Sequence, residues 1–189
     1  LLQDCLVLFA ERFAEQRVQL RLELDARPPV LPLDSVQLKQ AMVNLLANAL
    51  EAMADGGTLT LATRVTRGEG GQSVDASTGQ LGSDERSEET ADLPNRPVDE
   101  STNRRAVAEW VEVSVSDTGG GIPQEILDEV FNPFFTTKEA GTGLGLTLVR
   151  RIVRVHGGRV EVENRPGEGV TFRLWLPMAT VPRGGAVVI

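Results

Sequence analysis

The sequence has few or none of the residues that mark several common classes of protein. Its one cysteine, Cys5, cannot form a disulfide within the chain. No apolar run approaches the roughly 18 residues that a membrane-spanning helix needs, and the start has no signal-peptide pattern. Tyrosine is absent and histidine occurs once, at position 156. These absences argue against a disulfide-rich scaffold and a membrane helix.

Basic residues are also in deficit, since 19 Lys and Arg face 27 Asp and Glu, for a net charge of −8. Sequence-independent binding to nucleic acids requires a basic surface, so we expect no nucleic-acid partner. Any site for an anion must concentrate its positive potential locally. The 189 residues fit one domain with a two-layer core. Because the chain starts without methionine, inside a helical pattern, we expect it to be part of a longer protein.

Hydrophobic spacing predicts alternating helices and strands along the chain. Residues 67–105 are rich in Gly, Ser, Asp, Glu, Pro and Asn and are predicted to be a disordered insertion. The predicted helices cover residues 1–16, 35–54, 123–130 and 144–155, the second capped by Asp34 or Ser35. The predicted strands cover 18–24, 58–65, 110–117, 159–164 and 170–177. The last two form a hairpin about residues 166 and 167, prolines at 28, 29 and 32 break the chain, and a loose tail follows residue 178.

A basic, hydroxyl-bearing stretch followed by alternating glycines suggests a phosphate site. Thr136, Thr137 and Lys138 precede Gly141, Gly143 and Gly145, where backbone N–H groups and the start of a helix favour an anion. The spacing is neither that of a Walker A loop nor that of a dinucleotide fingerprint. A flexible glycine loop is the alternative. The phenylalanines at 131, 134 and 135 instead favour a lid that packs in at least one of its states.

The helix predicted over 35–54 has two distinct faces. Apolar residues at 42, 45, 46, 49 and 53 form one stripe, whereas amides and one acid form the other: Gln37, Gln40, Asn44, Asn48 and Glu51. The polar stripe is either a solvated face or a metal site. Carboxamide oxygens suit a Mg²⁺ ion shared with nucleotide phosphates, because carboxylates would repel those phosphates.

Asp117 ends a predicted strand and is followed by glycines at 119, 120 and 121. This pattern is either a simple turn or a site for a base. A buried, ionised carboxylate accepts hydrogen bonds only, so it would select an exocyclic amine such as that of adenine. Thr171 on the last strand is a weaker candidate for the same pocket.

Taken together, these motifs resemble the ATP-binding catalytic domain of sensor histidine kinases, within the Bergerat-fold ATPases. The segment NLLANALEAM (44–53) is similar to that family's N box, and DTGGGIP (117–123) to its G1 box. FNPFFTTK (131–138) is similar to the F box and GTGLGL (141–146) to the G2 box. Within that family the chain most resembles the nitrogen-regulatory and metal- or dicarboxylate-sensing type, whose short lids carry FFTTK.

The resemblance implies an α/β two-layer sandwich: a mixed, mostly antiparallel sheet covered on one face by helices. The ATP-binding domain would span residues 17–178, after the end of a helical region at 1–16 and before a tail at 179–189. Asn48 would ligate Mg²⁺ with help from Asn44, Asp117 would contact adenine, and Lys138 would contact phosphate. The full set of implied nucleotide-binding residues is Asn44, Asn48, Glu51, Asp117, Gly119, Gly121, Ile122, Thr136, Thr137, Lys138, Gly141, Thr142, Gly143, Leu144, Gly145, Leu146 and Thr171.

The resemblance also implies the reaction and its partners. The related gyrase, heat-shock and mismatch-repair ATPases carry a glutamate base where Asn44 stands, and asparagine cannot take a proton from water. ATP would thus be kept for a histidine on a separate dimerisation domain, which would pass the phosphoryl group to a response regulator in the cytoplasm, without direct membrane contact. His156 has instead the position of a helix C-terminal cap. The alternatives are a protein-serine kinase of the anti-sigma-factor type and a non-catalytic ATP-sensing module.

Overall fold

A computed structural model describes residues 1–25, 30–31, 33–67, 109–138, 141–178 and 187–189. The predicted insertion lies outside the described residues from position 68 onward, as do the prolines at 28, 29 and 32 and the tail residues 179–186. No helix in the described part of the chain is long and apolar enough to cross a membrane.

The described residues form helices and strands close to the predicted positions. The helices are α1 (Leu2–Glu15), α2 (Ser35–Ala52), α3 (Gly145–Val155) and a 3-10 helix (Gln124–Glu129). The strands are β1 (Val18–Glu23), β2 (Val30–Leu31), β3 (Gly57–Arg67), β4 (Glu109–Asp117), β5 (Arg159–Arg165), β6 (Gly169–Pro177) and β7 (Val187–Val188).

The main sheet has the strand order β1-β3-β4-β6-β5. β1 runs parallel to β3, and the other neighbours are antiparallel. This arrangement confirms the prediction of a mixed, mostly antiparallel sheet. The β5–β6 hairpin pairs Arg165 with Gly169, which places the connecting turn where the sequence predicted it.

The core lies between one face of the sheet and the helices. Alternate residues of β4 and β6 point to this face, and the register places Val113 opposite Leu174 and Val115 opposite Phe172. The apolar stripe of α2 packs into the same core, with Leu45 and Leu46 almost completely buried. Period-2 strands and a period-3.6 helix therefore bury their apolar faces against each other.

Helix α1 is part of this core. Its buried side chains are Leu2, Cys5, Leu6, Phe9 and Phe13. An ion pair also joins α1 to α2, since Lys39 Nζ lies 2.6 Å from the Asp4 carboxylate. The spacing of α1 predicts which face is apolar, but not that this face packs on α2.

A second, two-stranded sheet pairs Val30 with Val188 and Leu31 with Val187. The sequence predicts no strand at either place. A strand of two residues has no measurable alternation, and its partner lies more than a hundred residues away along the chain.

His156 ends α3, which confirms its predicted position as a C-terminal cap. Its Nδ1 lies 2.7 Å from the Ile152 carbonyl oxygen, and its Nε2 accepts a 3.2 Å hydrogen bond from the Asp34 N–H. The Asp34 carboxylate in turn caps the first turn of α2 by accepting from the N–H groups of Val36 and Gln37. The histidine thus joins the end of α3 to the start of α2.

Two glycines of the hairpin offer a test of how closely it packs. A Cβ on Gly169 (φ +129°) would lie 2.0 Å from the Asp117 carbonyl oxygen, whereas one on Gly167 (φ +82°) would have no described neighbour within 4 Å. Gly167→Ala should lower the free energy of unfolding by about 1–2 kcal/mol from backbone strain alone. Gly169→Ala should lower the free energy of unfolding by at least about 2 kcal/mol more than Gly167→Ala does, because strand β4 must move to make room for the new Cβ.

Urea denaturation of the two variants measures this difference. Equal losses of stability would show that β6 does not pass Asp117 as closely as described.

Candidate functional site

A cavity of about 790 Å³ opens between α2, the turn after β4, the lid (residues 131–138) and β6. Most residues of the predicted site line it: Asn44, Asn48, Glu51, Asp117, Gly121, Ile122, Thr136, Thr137, Lys138, Gly141, Thr142, Gly143, Gly145 and Leu146. The exceptions are Gly119, Leu144 and Thr171. Segments distant in sequence therefore meet at one cavity.

The polar stripe of α2 is divided between solvent and cavity. Its first amide, Gln37, bonds to the Asp34 carboxylate at 2.9 Å, at the solvent-exposed start of the helix. Asn44 Nδ2 donates to the Gly145 carbonyl oxygen at 3.4 Å, which joins α2 to the start of α3. Asn48 and Glu51, which lie one and two turns further along, face the cavity.

Lys138 of the lid reaches across the cavity to α2. Its Nζ donates to Asn48 Oδ1 at 3.2 Å and forms an ion pair with the Glu51 carboxylate. Its own backbone N–H donates to Thr136 Oγ1 at 3.1 Å. Two oxygens of α2 thus already bind a cation.

Asp117 is a buried carboxylate with 5% of its surface exposed. Its Oδ1 accepts a 3.0 Å hydrogen bond from the Gly119 N–H. Burial raises the pKa of Asp117 above its usual value of 3.8, and hydrogen bonds from the N–H groups of Gly119 and Val170 partly offset that rise. The site therefore contains an acceptor in a largely desolvated position.

The turn after Asp117 is held by close packing. Gly119 is buried against the end of α2, where a Cβ would lie 2.7 Å from the Ala52 carbonyl oxygen. Gly121 has φ +69° and lies equally close to the end of β5. Asn164 binds both sides of the next residue, since its Oδ1 accepts from the Ile122 N–H at 2.8 Å and its Nδ2 donates to the Ile122 carbonyl oxygen at 2.7 Å.

Two of the three loop glycines serve the lid itself. Gly143 has φ +66°, and a Cβ there would lie 2.3 Å from the carbonyl carbon of Phe134, whose N–H bonds to the Gly143 oxygen. A Cβ on Gly141 would lie 2.3 Å from Thr136 Oγ1. A Cβ on Gly145 would lie 4.0 Å from the Asn44 side chain, an ordinary van der Waals contact, and Gly145 begins α3 at the cavity. Leu144, directly before it, is the N-terminal cap residue of α3.

The lid phenylalanines have three different environments. Phe131 packs edge-on against Phe172 with ring centroids 6.4 Å apart, under the guanidinium of Arg150. Phe135 lines the cavity. Phe134 is 76% exposed and has an unusual positive φ of 67°. One phenylalanine therefore anchors the lid, while another faces solvent.

Thr171 lies on the other face of the sheet. Its hydroxyl donates to Ser116 Oγ at 2.8 Å, and it lines a separate recess of about 280 Å³. Because side chains alternate along β6, it is Val170 and Phe172 that face the larger cavity.

Sequence reasoning missed the apolar part of the cavity wall. The lining residues outside the predicted nucleotide-binding set are Ala47, Ala52, Pro123, Ile126, Val130, Phe135, Val170 and Phe172. The alternation of Val170 and Phe172 was a usable signal, since both had to share a face opposite Thr171. The remaining positions depend on tertiary packing.

Comparison with known proteins defines the class to which this fold and site belong. The family profile described as histidine kinase-, DNA gyrase B- and HSP90-like ATPase matches residues 88–180. This segment belongs to the family, and the architecture of the chain is the Bergerat fold. The matched segment contains Asp117, the lid and the glycine loop, whereas the asparagines of α2 precede it.

Individual relatives point to one branch of the family. The chain is 35% identical over 87% of its length to the sensor protein FixL of Bradyrhizobium diazoefficiens, of which it covers 25%. It is 32% identical over 94% of its length to the sensor histidine kinase ZraS of Escherichia coli K12, of which it covers 30%. The chain thus spans about a quarter to a third of the length of these relatives.

A solved structure extends the likeness to three dimensions. The catalytic domain of histidine kinase ThkA shares 28% identity with a TM-score of 0.65, and the match covers 94% of this chain and 92% of that one. The chain is therefore similar, over almost its full length, to one domain of a histidine kinase.

The buried state of Asp117 predicts how stability depends on pH. Because the pKa of Asp117 is raised in the folded state, the folded chain holds the proton of this carboxyl group more tightly than the unfolded chain does. The stability that this proton contributes is present at low pH and is lost as pH rises through the folded-state pKa of Asp117. Asp117→Asn removes this dependence. The difference in unfolding free energy between wild type and Asp117→Asn should therefore shift in favour of the variant from about pH 4 to pH 7.

Denaturation of both proteins across this range measures the shift. A difference that stays constant, or moves toward wild type, would contradict a raised pKa for Asp117.

Proposed function

We propose that this chain is the ATP-binding catalytic domain of a sensor histidine kinase. It binds Mg-ATP and donates the γ-phosphoryl group to a histidine of a separate helical domain, for relay to a response regulator. The observation that carries the proposal is the meeting of three groups at one cavity: a buried acceptor, Asp117; a cation, Lys138; and the N-terminus of α3 at Gly145. An adenine nucleotide offers a partner for each of them.

The adenine base fits the Asp117 side of the cavity. The ionised carboxylate accepts a hydrogen bond from the exocyclic amine and rejects a carbonyl oxygen at that position. Apolar side chains such as Ile122, Val170 and Phe172 line the same cavity and contact the flat faces of the ring. Thr171, which lies on the opposite face of the sheet, is not part of this proposed contact.

The phosphates fit between the lid and α3. Backbone N–H groups of residues 141–146 and the positive end of the α3 dipole favour an anion here. Thr136 and Thr137 add hydroxyl donors, and Lys138 adds a charge. Positive potential is thus local, as a chain with net charge −8 requires.

The residues on α2 fit a magnesium ion shared with these phosphates. The described residues contain no cluster of three or more His, Cys, Asp or Glu side chains that could hold a metal ion, so the protein supplies few charged ligands. The Asn48 oxygen and the Glu51 carboxylate instead converge on one cation, the Lys138 ammonium. Asn48, helped by Asn44, would hold the ion, which when bound neutralises phosphate charge.

The chain favours transfer of the phosphoryl group to an external histidine over hydrolysis. Asn44 has no basic group to activate water, and its Nδ2 is bonded to the Gly145 carbonyl oxygen. His156 contacts backbone groups through both ring nitrogens, which makes it a poor acceptor. The exposed apolar side chains of Phe134, Leu144 and Leu148 lie on the lid and the first turns of α3, where the histidine domain would dock.

The solved complex of histidine kinase ThkA with response regulator protein TrrA supports the final step of the proposal. The chain shares 26% identity with that kinase, with a TM-score of 0.61 over 94% of this chain and 39% of the other. We infer a response regulator as the eventual acceptor of the phosphoryl group.

Substitution of the metal-binding asparagine tests the cofactor assignment. Asn48→Ala should reduce the gain in ADP affinity that Mg²⁺ provides by at least about tenfold, because it removes a direct ligand. Gln3→Ala, on the exposed side of α1 and outside the cavity, is the matched control. Calorimetric titration with and without Mg²⁺ gives the two affinities, and an unchanged magnesium effect in Asn48→Ala would remove Asn48 from the site.

Phosphotransfer tests the proposed reaction. The chain alone, incubated with labelled ATP, should acquire almost no label, whereas addition of a histidine-bearing helical domain from the same kinase should yield labelled histidine. The product should be acid-labile, as phosphohistidine is. An acid-stable product would indicate a serine kinase, and nucleotide binding without transfer to any histidine domain would indicate an ATP-sensing module.

A further inference from the structure

The proposed function assigns Asn48 to a metal ion, but in the structure Asn48 and Glu51 hold a different cation, the Lys138 ammonium. The Lys138 ammonium contacts both Asn48 Oδ1 and the Glu51 carboxylate. The same Lys138 is the proposed phosphate contact, and the same Asn48 is the proposed metal ligand. Lys138 and a metal ion cannot both occupy this position, because their like charges repel at such short range.

The balance of charge in the cavity makes this contact consequential. Among the described residues that line the cavity, Lys138 is the only cation, and Glu51 and Asp117 are the anions. As long as Glu51 neutralises Lys138, little positive side-chain charge faces an incoming phosphate. If Lys138 moved to a phosphate, the Glu51 carboxylate would lose its partner and face a second negative group.

We propose that Glu51 sets the metal dependence of nucleotide binding. This inference rests on the proposed function. Glu51 competes with the nucleotide phosphates for Lys138, so a nucleotide without metal binds weakly. With a metal ion beside Asn48, the Glu51 carboxylate would pair with that ion, and Lys138 would be free to contact the phosphates.

Because the ion pair between Lys138 and Glu51 is partly exposed to solvent, Lys138 can leave Glu51 and return to it. The side chains of Lys138 and Glu51 are 47% and 43% exposed. Pairs of this kind alter an equilibrium by no more than about fivefold, which is enough to disfavour a metal-free nucleotide without closing the site. The backbone of Lys138 is held by Thr136 Oγ1, so the exchange needs movement of the side chain rather than of the loop.

The affinity for ADP in EDTA and in Mg²⁺, measured by calorimetry, tests this inference. Glu51→Gln should bind metal-free ADP up to about fivefold more tightly than wild type and should gain less from Mg²⁺. The ratio of the two dissociation constants should therefore fall. Glu125→Gln makes the same change of charge at an exposed position outside the cavity and should leave the ratio unchanged, while Glu51→Asp should largely preserve it.

The same change in a variant without Lys138 separates competition for this lysine from simple repulsion between Glu51 and the phosphates. In Lys138→Gln, the further change Glu51→Gln should tighten metal-free binding less than it does in the wild-type background, because it relieves repulsion only and there is no lysine to release. Equal tightening in the two backgrounds would overturn competition for Lys138.

Failure of this inference is distinct from failure of the proposed function. Wild type that binds ADP, with a ratio unaffected by Glu51→Gln, would overturn the role of Glu51 alone. Folded wild type that binds no adenine nucleotide in either condition would overturn both.

Discussion

The close packing of the β4 turn around Asp117 is the constraint on which the rest of the site depends. Gly169 of β6 passes so near the Asp117 carbonyl that no side chain fits between them. Gly119 then lies directly against the end of α2, and Asn164 binds both polar groups of the Ile122 backbone. Two strands and a helix therefore fix a single carboxylate, although burial makes its charge costly.

This constraint determines what the remaining elements can do. Asp117 is fixed on the sheet, and α2 and α3 form the other walls of the cavity. The hydrogen bond from Asn44 to the Gly145 carbonyl oxygen joins these two helices at the cavity. At the far ends of these helices, His156 of α3 bonds to Asp34 of α2. Under the proposed function, α2 would hold the metal ion and the start of α3 would bind the phosphates, while the Lys138 side chain is the part that would move.

Much of the fold could be predicted because its elements have strong periodic patterns. The two faces of α2 and the alternation in β4 and β6 identified both the core and the strands that bound the site. The β2–β7 pair has no such pattern, and the packing of α1 on α2 depends on contacts that no local spacing encodes.

The polar lining of the cavity could be predicted where polar residues recur at fixed spacing, as for Asn44, Asn48 and Asp117. The apolar wall was not, because residues such as Val130 and Ala47 acquire their role only by tertiary placement. Thr171 shows the limit of motif reasoning, since its face of the strand is set by the sheet. The contact between Lys138 and Glu51 joins segments 87 residues apart and required the structure.

Asp117 is proposed to select adenine through its carboxylate, in the cavity that is also proposed to bind the phosphates. Calorimetric titration of the chain with ATP and with GTP, each with Mg²⁺, tests this selectivity, since guanine presents a carbonyl oxygen where adenine presents its amine. We expect ATP to bind and GTP to bind at least about tenfold more weakly. Equal affinity for the two nucleotides, or no binding of ATP by the folded chain, would contradict it.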